Sequence, residues 1–260
     1  YFLNSFSFLN LDQIITTKLI LFVQCILSLI SIFIFYRILR NFFQEQNSYI
    51  ISIIYFIFPL NFYAASQISS VSIQVFCFIY FLYFLINHRT LKDYILLGFF
   101  SGLLILVRGE FWLLFLLIMI FKIIKNIKLT KNYFITFIVT SLILSPVLIK
   151  NYKTFDQIVI TKSFGYNLWR GNSEVLNING NSHEMLEIKG DFLNTGQNVD
   201  KFELYVDNYF LKSAKKNLVE DPYKYAKHYL KKFFAFSIFN YNSNYPNYFN
   251  PLILIPEIIV

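Results

Sequence analysis

The sequence predicts an all-α polytopic membrane domain followed by a small mixed α/β extracytoplasmic segment. Of the 260 residues, 56% are hydrophobic, 20% are aromatic and only 15% are charged, whereas about 25% of a soluble protein is charged. The apolar residues form long runs separated by short basic stretches, a pattern typical of transmembrane helices joined by loops. The runs end near residue 150, after which Gly, Asn and charged residues become frequent.

The net charge of +8 is explained by basic loops between membrane spans. In a soluble domain such a charge would suggest a nucleic acid partner, but here the basic residues lie between apolar runs, so no nucleic acid is expected. Cys25 and Cys77 both lie inside apolar runs, which argues against a disulfide framework.

The first membrane spans can be placed from charge-free runs. Ile14 to Tyr36 contains a single charge, Lys18, and predicts one span. Ser48 to Ile86 has no charged residue over about 39 positions, or roughly 58 Å of helix, which is near twice the hydrocarbon thickness of a bilayer. This run must fold back on itself, and Ser66 to Ser70 is the polar turn that it offers. A later span is predicted over Tyr133 to Ile149.

The region from Tyr94 to Phe121 can be interpreted in two ways. Arg108, Gly109 and Glu110 interrupt two apolar runs that are each short for a full crossing,. Either one tilted helix or a hairpin of two short helices fits. Only the hairpin leaves three successive basic loops on one side, as the positive-inside tendency favours; these are Arg37 and Arg40; His88, Arg89 and Lys92; and Lys122, Lys125, Lys128 and Lys131. We therefore expect about six helices in residues 1–150, with a hairpin that turns at 108–110.

The hairpin places Arg108 and Glu110 on the outer face, recessed below the bilayer surface. An ionisable pair at that depth is a candidate functional site, and the guanidinium group of Arg suits bidentate binding of phosphate. The alternative is a structural ion pair that closes the helix turn, because buried pairs exist without any activity.

The outer segment, residues 151–220, has a different pattern. Phe155 to Asn181 alternates and is rich in Gly and Asn, which predicts short strands and turns,. Val199 to Leu218 predicts a surface helix. An interfacial amphipathic helix is expected over 221–240, with apolar residues opposite a polar face formed by Lys224, Lys227, His228 and Lys231. Residues 251–260 are expected to begin a further, truncated span.

Three segments carry a resemblance to a known family. GLLILVRGEFWLL, from Gly102, is similar to a Gly-Leu-rich helix that ends in Arg-Pro-Glu, with Gly109 where proline is usual. SPVLIKNYKTFDQIVITKSFGYNLWRGN is similar to a helix exit with an Arg-Asn-Tyr-like element, here starting at Lys150, followed by Gly-x-Asn-Leu-Trp-x-Gly-Asn. FLKSAKKNLVEDPYKYAKHYLKKFFAF resembles the helix, proline and lysine-bearing helix that come next. In this order they resemble the GT-C superfamily of membrane glycosyltransferases, and within it family 39, the protein-mannosyltransferase-like and aminoarabinose-transferase-like proteins of bacterial envelopes.

The resemblance implies transfer of a sugar, with inversion, from a polyprenyl-phosphate donor to an envelope lipid, glycan or protein hydroxyl. It implies an enzyme of the bacterial inner membrane that works on the outer face among membrane lipids. Family members carry an acidic pair in the first outer loop that activates the acceptor or helps to hold a metal. We expect this chain to be a segment lacking that loop, so no catalytic residue is assigned, and a divalent metal is a further candidate cofactor.

The same resemblance suggests roles for residues that are present. Donor-phosphate binding is expected from Arg108, Lys231 and Lys232. A substrate loop is expected from Tyr166, Asn167, Trp169, Arg170 and Asn172, with Gly165 and Gly171 allowing tight turns. Glu110 and Asn151 are expected in supporting roles.

Three alternatives remain open on the sequence. The protein could be a transporter or flippase of lipid-linked sugars, although transporters tend to carry polar residues or broken helices near the midplane of several spans, whereas Ser48 to Ile86 is bare of charge and the recessed Arg108/Glu110 pair lies toward the outer face. It could also be a non-catalytic membrane scaffold. The segment from Tyr166 to Asn172 could serve only to fold the outer segment onto the membrane, with Trp169 at the interface. The oligomeric state is not predicted.

Overall fold

A computed structural model describes residues 12–174, 192–194 and 198–237 of the chain. The chain divides into two compact units, Tyr1–Pro146 and Val147–Val260. The described residues are helical and contain no strand, as predicted for the membrane domain. Residues 238–240 of the predicted interfacial helix and the predicted span at 251–260 lie outside the described residues.

The first unit is a bundle of helices. In chain order they are α1 (Gln13–Leu39), α2 (Glu45–Ile57), α3 (Pro59–Ser66), α4 (Val71–Asn87), α5 (Leu91–Val107), α6 (Phe111–Lys125) and α7 (Thr130–Phe155), the last of which continues into the second unit. A short 3₁₀ helix, Ile127–Leu129, precedes α7.

Two of these helices, α1 and α7, are long and apolar enough to cross a membrane over Ile14–Leu39 and Thr130–Phe155. Helices α4 and α5 have 17 residues each and α6 has 15, which at 1.5 Å per residue gives about 22 to 26 Å. Their lengths approach the thickness of the hydrocarbon core, about 30 Å.

The long charge-free run is broken twice. Proline lacks a backbone N–H and is tolerated at the first position of a helix, so α2 ends before Pro59 and α3 begins there. The Asn61 side-chain amide donates to the Tyr55 carbonyl oxygen at 2.5 Å, which satisfies an acceptor at the end of α2. The polar turn predicted at Ser66–Ser70 is confirmed between α3 and α4.

Contacts along the helices fix their directions. Gln24 contacts Ser69 near the start of α4, and Ile34 and Ile38 pack with Ile79 further along it, so α1 and α4 run parallel. The rings of His88 and Tyr94 lie 4.9 Å apart at the α4–α5 connection. At the other end, Arg108, which follows α5, contacts Gln74 near the start of α4, so α4 and α5 run antiparallel.

Helices α5 and α7 run parallel and close together. The hydroxyl groups of Thr136 and Thr140 donate to the carbonyl oxygens of Tyr94 and Gly98, each at 3.0 Å. A Cβ at Gly98 would lie 2.6 Å from the Thr136 carbonyl oxygen. Gly98 and Gly102 thus form a small-xxx-small contact surface, which lets membrane helices approach closely. Helix α6 connects the end of α5 to the start of α7, so it runs antiparallel to both.

This arrangement separates two ends of the first unit. The polar end holds the Ser66–Ser70 turn and the Arg108–Glu110 turn. The basic end holds the ends of α1 and α4, with Arg40 and His88, and the start of α7, where the Tyr133 hydroxyl lies 3.0 Å from His88 Nε2. The three basic clusters of the sequence therefore lie at one end.

The second unit contains the end of α7, followed by α8 (Phe164–Gly171), a 3₁₀ helix (Val199–Lys201), α9 (Phe202–Glu220) and α10 (Pro222–Ser237). Helix α9 confirms the predicted surface helix. Asp221 caps the start of α10, because its carboxylate accepts from the Lys224 backbone N–H at 2.9 Å.

The strands predicted over Phe155–Asn181 were wrong where the structure describes this segment. Residues 164–171 form helix α8, and residues 175–181 lie outside the described residues. Tyr166 and Trp169 are three apart, a spacing that puts both rings on one helix face, where they pack against α9. That burial favours a helix over the predicted strands. The mixed α/β outer segment is not found in the described residues.

Candidate functional site

The turn between α5 and α6 presents an arginine at the polar end of the first unit. Helix α5 ends at Val107, and Arg108 has an extended backbone (φ −142°, ψ 102°) with an exposed side chain. Its Nε donates to Gln74 Oε1 on α4 at 3.1 Å. The Nη1 and Nη2 atoms make no hydrogen bond or ion pair in the part of the chain that the structure describes. The guanidinium group is thus oriented through Nε alone, and its two terminal nitrogens, the guanidinium fork, are open to a ligand.

Glu110 does not pair with this arginine. It is exposed at the start of α6, and no ion pair joins it to Arg108 among the described residues. The structural ion pair considered as an alternative is therefore wrong, because a neutral side chain, Gln74, orients Arg108 and leaves its charge uncompensated.

A second glutamine supports the same end. Gln24 on α1 has no exposed surface, and its Nε2 donates to the Ser69 carbonyl oxygen in the polar turn at 2.5 Å. Its Oε1 has no hydrogen-bond partner within the described residues. Sequence reasoning missed Gln24 and Gln74. The available signal was an amide inside an apolar span, since a buried amide is costly unless it is hydrogen-bonded.

In the second unit, the predicted substrate loop is a helix docked on α9. The ring centroids of Tyr166 and Trp169 lie 5.0 and 4.6 Å from that of Phe210. The Tyr166 backbone N–H donates to the Asp207 carboxylate at 2.9 Å. Both predicted aromatic binding residues thus pack in the interface between α8 and α9.

The polar residues of this segment differ in exposure. Asn167 and Arg170 are exposed, whereas Asn172 is 2% exposed. The Asn172 side-chain amide donates to the Leu168 carbonyl oxygen at 2.7 Å. Gly165 sits within α8, where a Cβ would collide with the Asp207 carbonyl oxygen, so the expected turn role is corrected to one of close helix approach.

The segment 171–174 is held by side chains from α9 and α10 that donate to its backbone carbonyl oxygens. The pairs are Lys232 to Gly171 at 2.8 Å, Asn217 to Asn172 at 3.0 Å, Tyr225 to Ser173 at 3.2 Å and Lys224 to Glu174 at 3.2 Å. These bonds fix the end of the Tyr166–Asn172 motif, a structural role that the sequence offered only as an alternative.

The two lysines predicted to bind the donor phosphate have different surroundings. Lys232 is half-buried, and its ammonium donates to the Gly171 carbonyl oxygen. Burial lowers the pKa of Lys232. Lys231 is exposed and makes no ion pair with any described residue. Lys231 is therefore the lysine of this pair that is open to an external anion.

Helix α10 presents a mixed outer face. His228 is 3% exposed and lies with Tyr225 on the inward face, which corrects its predicted place among the exposed cations. Leu230 and Phe233 are 62% and 64% exposed, and Lys227 is exposed as well.

The remaining predicted residue, Asn151, is 6% exposed. Its side-chain amide donates to the Val159 carbonyl oxygen at 2.7 Å, which fixes the chain where it leaves α7. Among the described residues, no group of three or more His, Cys, Asp or Glu side chains could hold a metal ion.

A cavity of about 440 Å³ lies beside the start of α8. Its charged lining consists of Lys162, Glu203 and Asp207, and the first two form an ion pair. Tyr166 contributes to its wall. The α8 motif thus borders a cavity even though its aromatic rings are packed.

Comparison with known proteins assigns the membrane unit. The family model described as dolichyl-phosphate-mannose-protein mannosyltransferase matches residues 12–149, which is more than half of the chain. The match includes the Arg108 turn and stops before α8. No curated protein and no solved structure matches the chain. The helical fold and this match agree with the GT-C resemblance, and the chain belongs to the dolichyl-phosphate-mannose-protein mannosyltransferase family of integral-membrane glycosyltransferases.

Proposed function

We propose that this protein transfers a sugar, with inversion, from a polyprenyl-phosphate donor to a hydroxyl group of an envelope lipid, glycan or protein. The observation that carries the proposal is the open guanidinium fork of Arg108, held through Nε by Gln74 at the polar end of a bundle from this family.

The chemistry requires a cation where the donor phosphate leaves. In the proposed reaction the acceptor hydroxyl attacks the anomeric carbon from the side opposite the phosphate. The bond from the anomeric carbon to the phosphate oxygen breaks, and the phosphate takes the electron pair. A preorganised guanidinium stabilises that charge through two parallel N–H···O bonds. The hydroxyl proton goes to a general base, to which we assign no residue of this chain.

The proposed site lies on the outer face of a bacterial inner membrane. Basic loops favour the cytoplasmic side, and the basic clusters lie at the end of the first unit opposite Arg108. The proposal thus places the polar end toward the periplasm.

We further propose that α10 lies at the membrane surface. Exposed apolar side chains flanked by lysines are typical of interfacial helices, and α10 exposes Leu230 and Phe233 together with Lys227 and Lys231. In this position Lys231 would be available to anionic lipid headgroups, including the donor phosphate.

The test is a transfer assay with the full-length protein in membranes. Radiolabelled polyprenyl-phosphate sugars are compared with nucleotide sugars as donors, using acceptor lipids, glycans and peptides, and the anomeric configuration of the product is determined. We expect transfer from a polyprenyl-phosphate sugar with inverted configuration. Transfer only from a nucleotide sugar, or retained configuration, would contradict the proposal. Transbilayer movement of the lipid-linked sugar without transfer would identify a flippase instead.

A further inference from the structure

The second unit contains a cavity of about 630 Å³ between the end of α7 and α9. Its volume is within the range of small-molecule sites, about 300 to 1,000 Å³. None of its lining residues belongs to the Tyr166–Asn172 motif. The family match stops at residue 149, before the first residue of this lining.

The lining combines aromatic rings with amides. Tyr205 and Tyr209 come from α9, and Phe155, which is 6% exposed, ends α7. Gln157 and Asn208 contribute side-chain amides. An aromatic face packs against the C–H surface of a sugar ring, and each amide offers a donor and an acceptor for hydroxyl groups. This combination suits a saccharide.

The charges of the lining favour an acidic saccharide. Asp156 and Lys201 form an ion pair with each other. Lys212 is exposed and makes no ion pair in the part of the chain that the structure describes. The lining therefore has one uncompensated positive charge, which suits a carboxylate or phosphate on the ligand.

The chain turns at the cavity where α7 ends. Asp156, the residue after α7, has φ 57°, the left-handed conformation in which many helices end. Two contacts hold it there, the ion pair to Lys201 and the bond from its backbone N–H to the Tyr152 carbonyl oxygen at 2.8 Å.

We propose that this cavity binds one unit of an acidic saccharide. That the cavity is the binding site of the acceptor glycan rests on the proposed function. That it is a saccharide site rests on the cavity alone. Tyr209 stacks on the sugar ring, the two amides bind its hydroxyl groups, and Lys212 binds its acidic group.

The experiment measures binding separately from transfer. Saturation-transfer NMR on the full-length protein in nanodiscs compares methyl β-glucuronide with methyl β-glucoside as probes. We expect tighter binding of the glucuronide. Tyr209→Ala should weaken binding of both probes about 5-fold or more through loss of the aromatic contact. Lys212→Gln should remove the preference for glucuronide, and Lys215→Gln, an exposed lysine on the same helix, should change neither.

Several outcomes would overturn the inference. One is the absence of binding of both probes to the wild type. Another is binding that Tyr209→Ala and Asn208→Ala both leave unchanged while circular dichroism shows folded protein. Equal binding of the two probes would overturn the acidic specificity. Failure of the proposed function can be distinguished from failure of the saccharide site. Arg108→Ala should keep saccharide binding. Binding of a probe without transfer from any donor would contradict the proposed function while supporting the site.

Discussion

Arg108 has the most specific role at the scale of single residues. We predict that Arg108→Ala lowers the transfer rate roughly 100-fold, a typical cost of removing one preorganised donor at a developing charge. Arg108→Lys should restore only part of the rate, because an ammonium cannot form two parallel bonds to the phosphate. The measurement is the initial rate with a polyprenyl-phosphate sugar in membranes that contain equal amounts of each variant.

The matched control is Arg89→Ala. Arg89 is an exposed arginine at the basic end, and its side chain makes no ion pair with a described residue, so the substitution should leave the rate within 2-fold of wild type, as expected for a surface change. A near-normal rate for Arg108→Ala would contradict the phosphate role. Equal losses for both arginines would point to a general effect of charge.

Lys231 and Lys232 are neighbours with different predicted effects on stability. Lys232→Met removes the donor to the Gly171 carbonyl oxygen and should lower the free energy of unfolding by about 1 kcal/mol. Lys231→Met should change it by less than about 0.5 kcal/mol. The measurement is denaturant unfolding of the purified protein monitored by tryptophan fluorescence. Equal effects would show that the bond to Gly171 does not stabilise the fold.

The pH dependence of the same pair has a definite sign. Burial lowers the pKa of Lys232 in the folded state below its ordinary value of 10.5. At pH values between the pKa in the folded state and 10.5, the unfolded chain binds more protons than the folded protein. The contribution of Lys232 to stability therefore increases with pH. We expect the difference in unfolding free energy between wild type and Lys232→Met to grow toward pH 10.5. A difference that stays constant or shrinks would contradict this assignment.

At the scale of helices, the contact between α5 and α7 depends on glycine. A Cβ at Gly98 would lie 2.6 Å from the Thr136 carbonyl oxygen and 2.9 Å from Val139 Cβ. The backbone of α5 or α7 must therefore move, and we predict that Gly98→Ala destabilises the first unit by about 1 to 3 kcal/mol. The measurement is the free energy of unfolding in mixed detergent micelles.

Ile95→Ala is the control for this prediction. Ile95 lies one turn earlier on α5 and is 41% exposed, so its truncation should cost less than Gly98→Ala even though it removes more atoms. The reverse order would mean that α7 does not pack against Gly98 as described.

Helix α8 shows why local pattern was insufficient at this scale. The alternation and the Gly and Asn content of Phe155–Asn181 predicted strands. That prediction did not take account of the three-residue spacing of Tyr166 and Trp169, which is typical of one helix face. Propensity is a weak signal that tertiary contacts override. Here α9 supplies Val206 and Phe210, a surface far away in sequence, and Gly165 permits the close approach.

At the scale of the whole molecule, the orientation of the first unit can be tested with single cysteines. In a protein whose Cys25 and Cys77 are replaced by alanine, we predict that Ser70→Cys reacts with a membrane-impermeant maleimide added outside intact cells. Arg89→Cys should react only after the membrane is opened. Both positions are exposed, one at the polar end and one at the basic end. The opposite labelling pattern would place Arg108 toward the cytoplasm and contradict the proposed outer-face site.

The sequence by itself determined the membrane class, the helical first unit, the polar turn at Ser66–Ser70 and the break at Arg108. These follow from long apolar runs and their interruptions, because lipid cannot hydrate charges or unpaired backbone groups. The family resemblance came from short motifs in a consistent order, and the match over residues 12–149 agrees with it at the level of the superfamily.

Only the tertiary structure decided what the polar residues contact. It assigned Gln74 as the partner of Arg108, distinguished the bonded Lys232 from the exposed Lys231 and packed Tyr166 and Trp169 against α9. The physical reason is that partners such as Gln74 and Arg108, or Gly171 and Lys232, are separated by tens of residues along the chain. Local periodicity shows which side chains share a face of one helix, whereas the helix that covers that face is set by the packing of the whole chain.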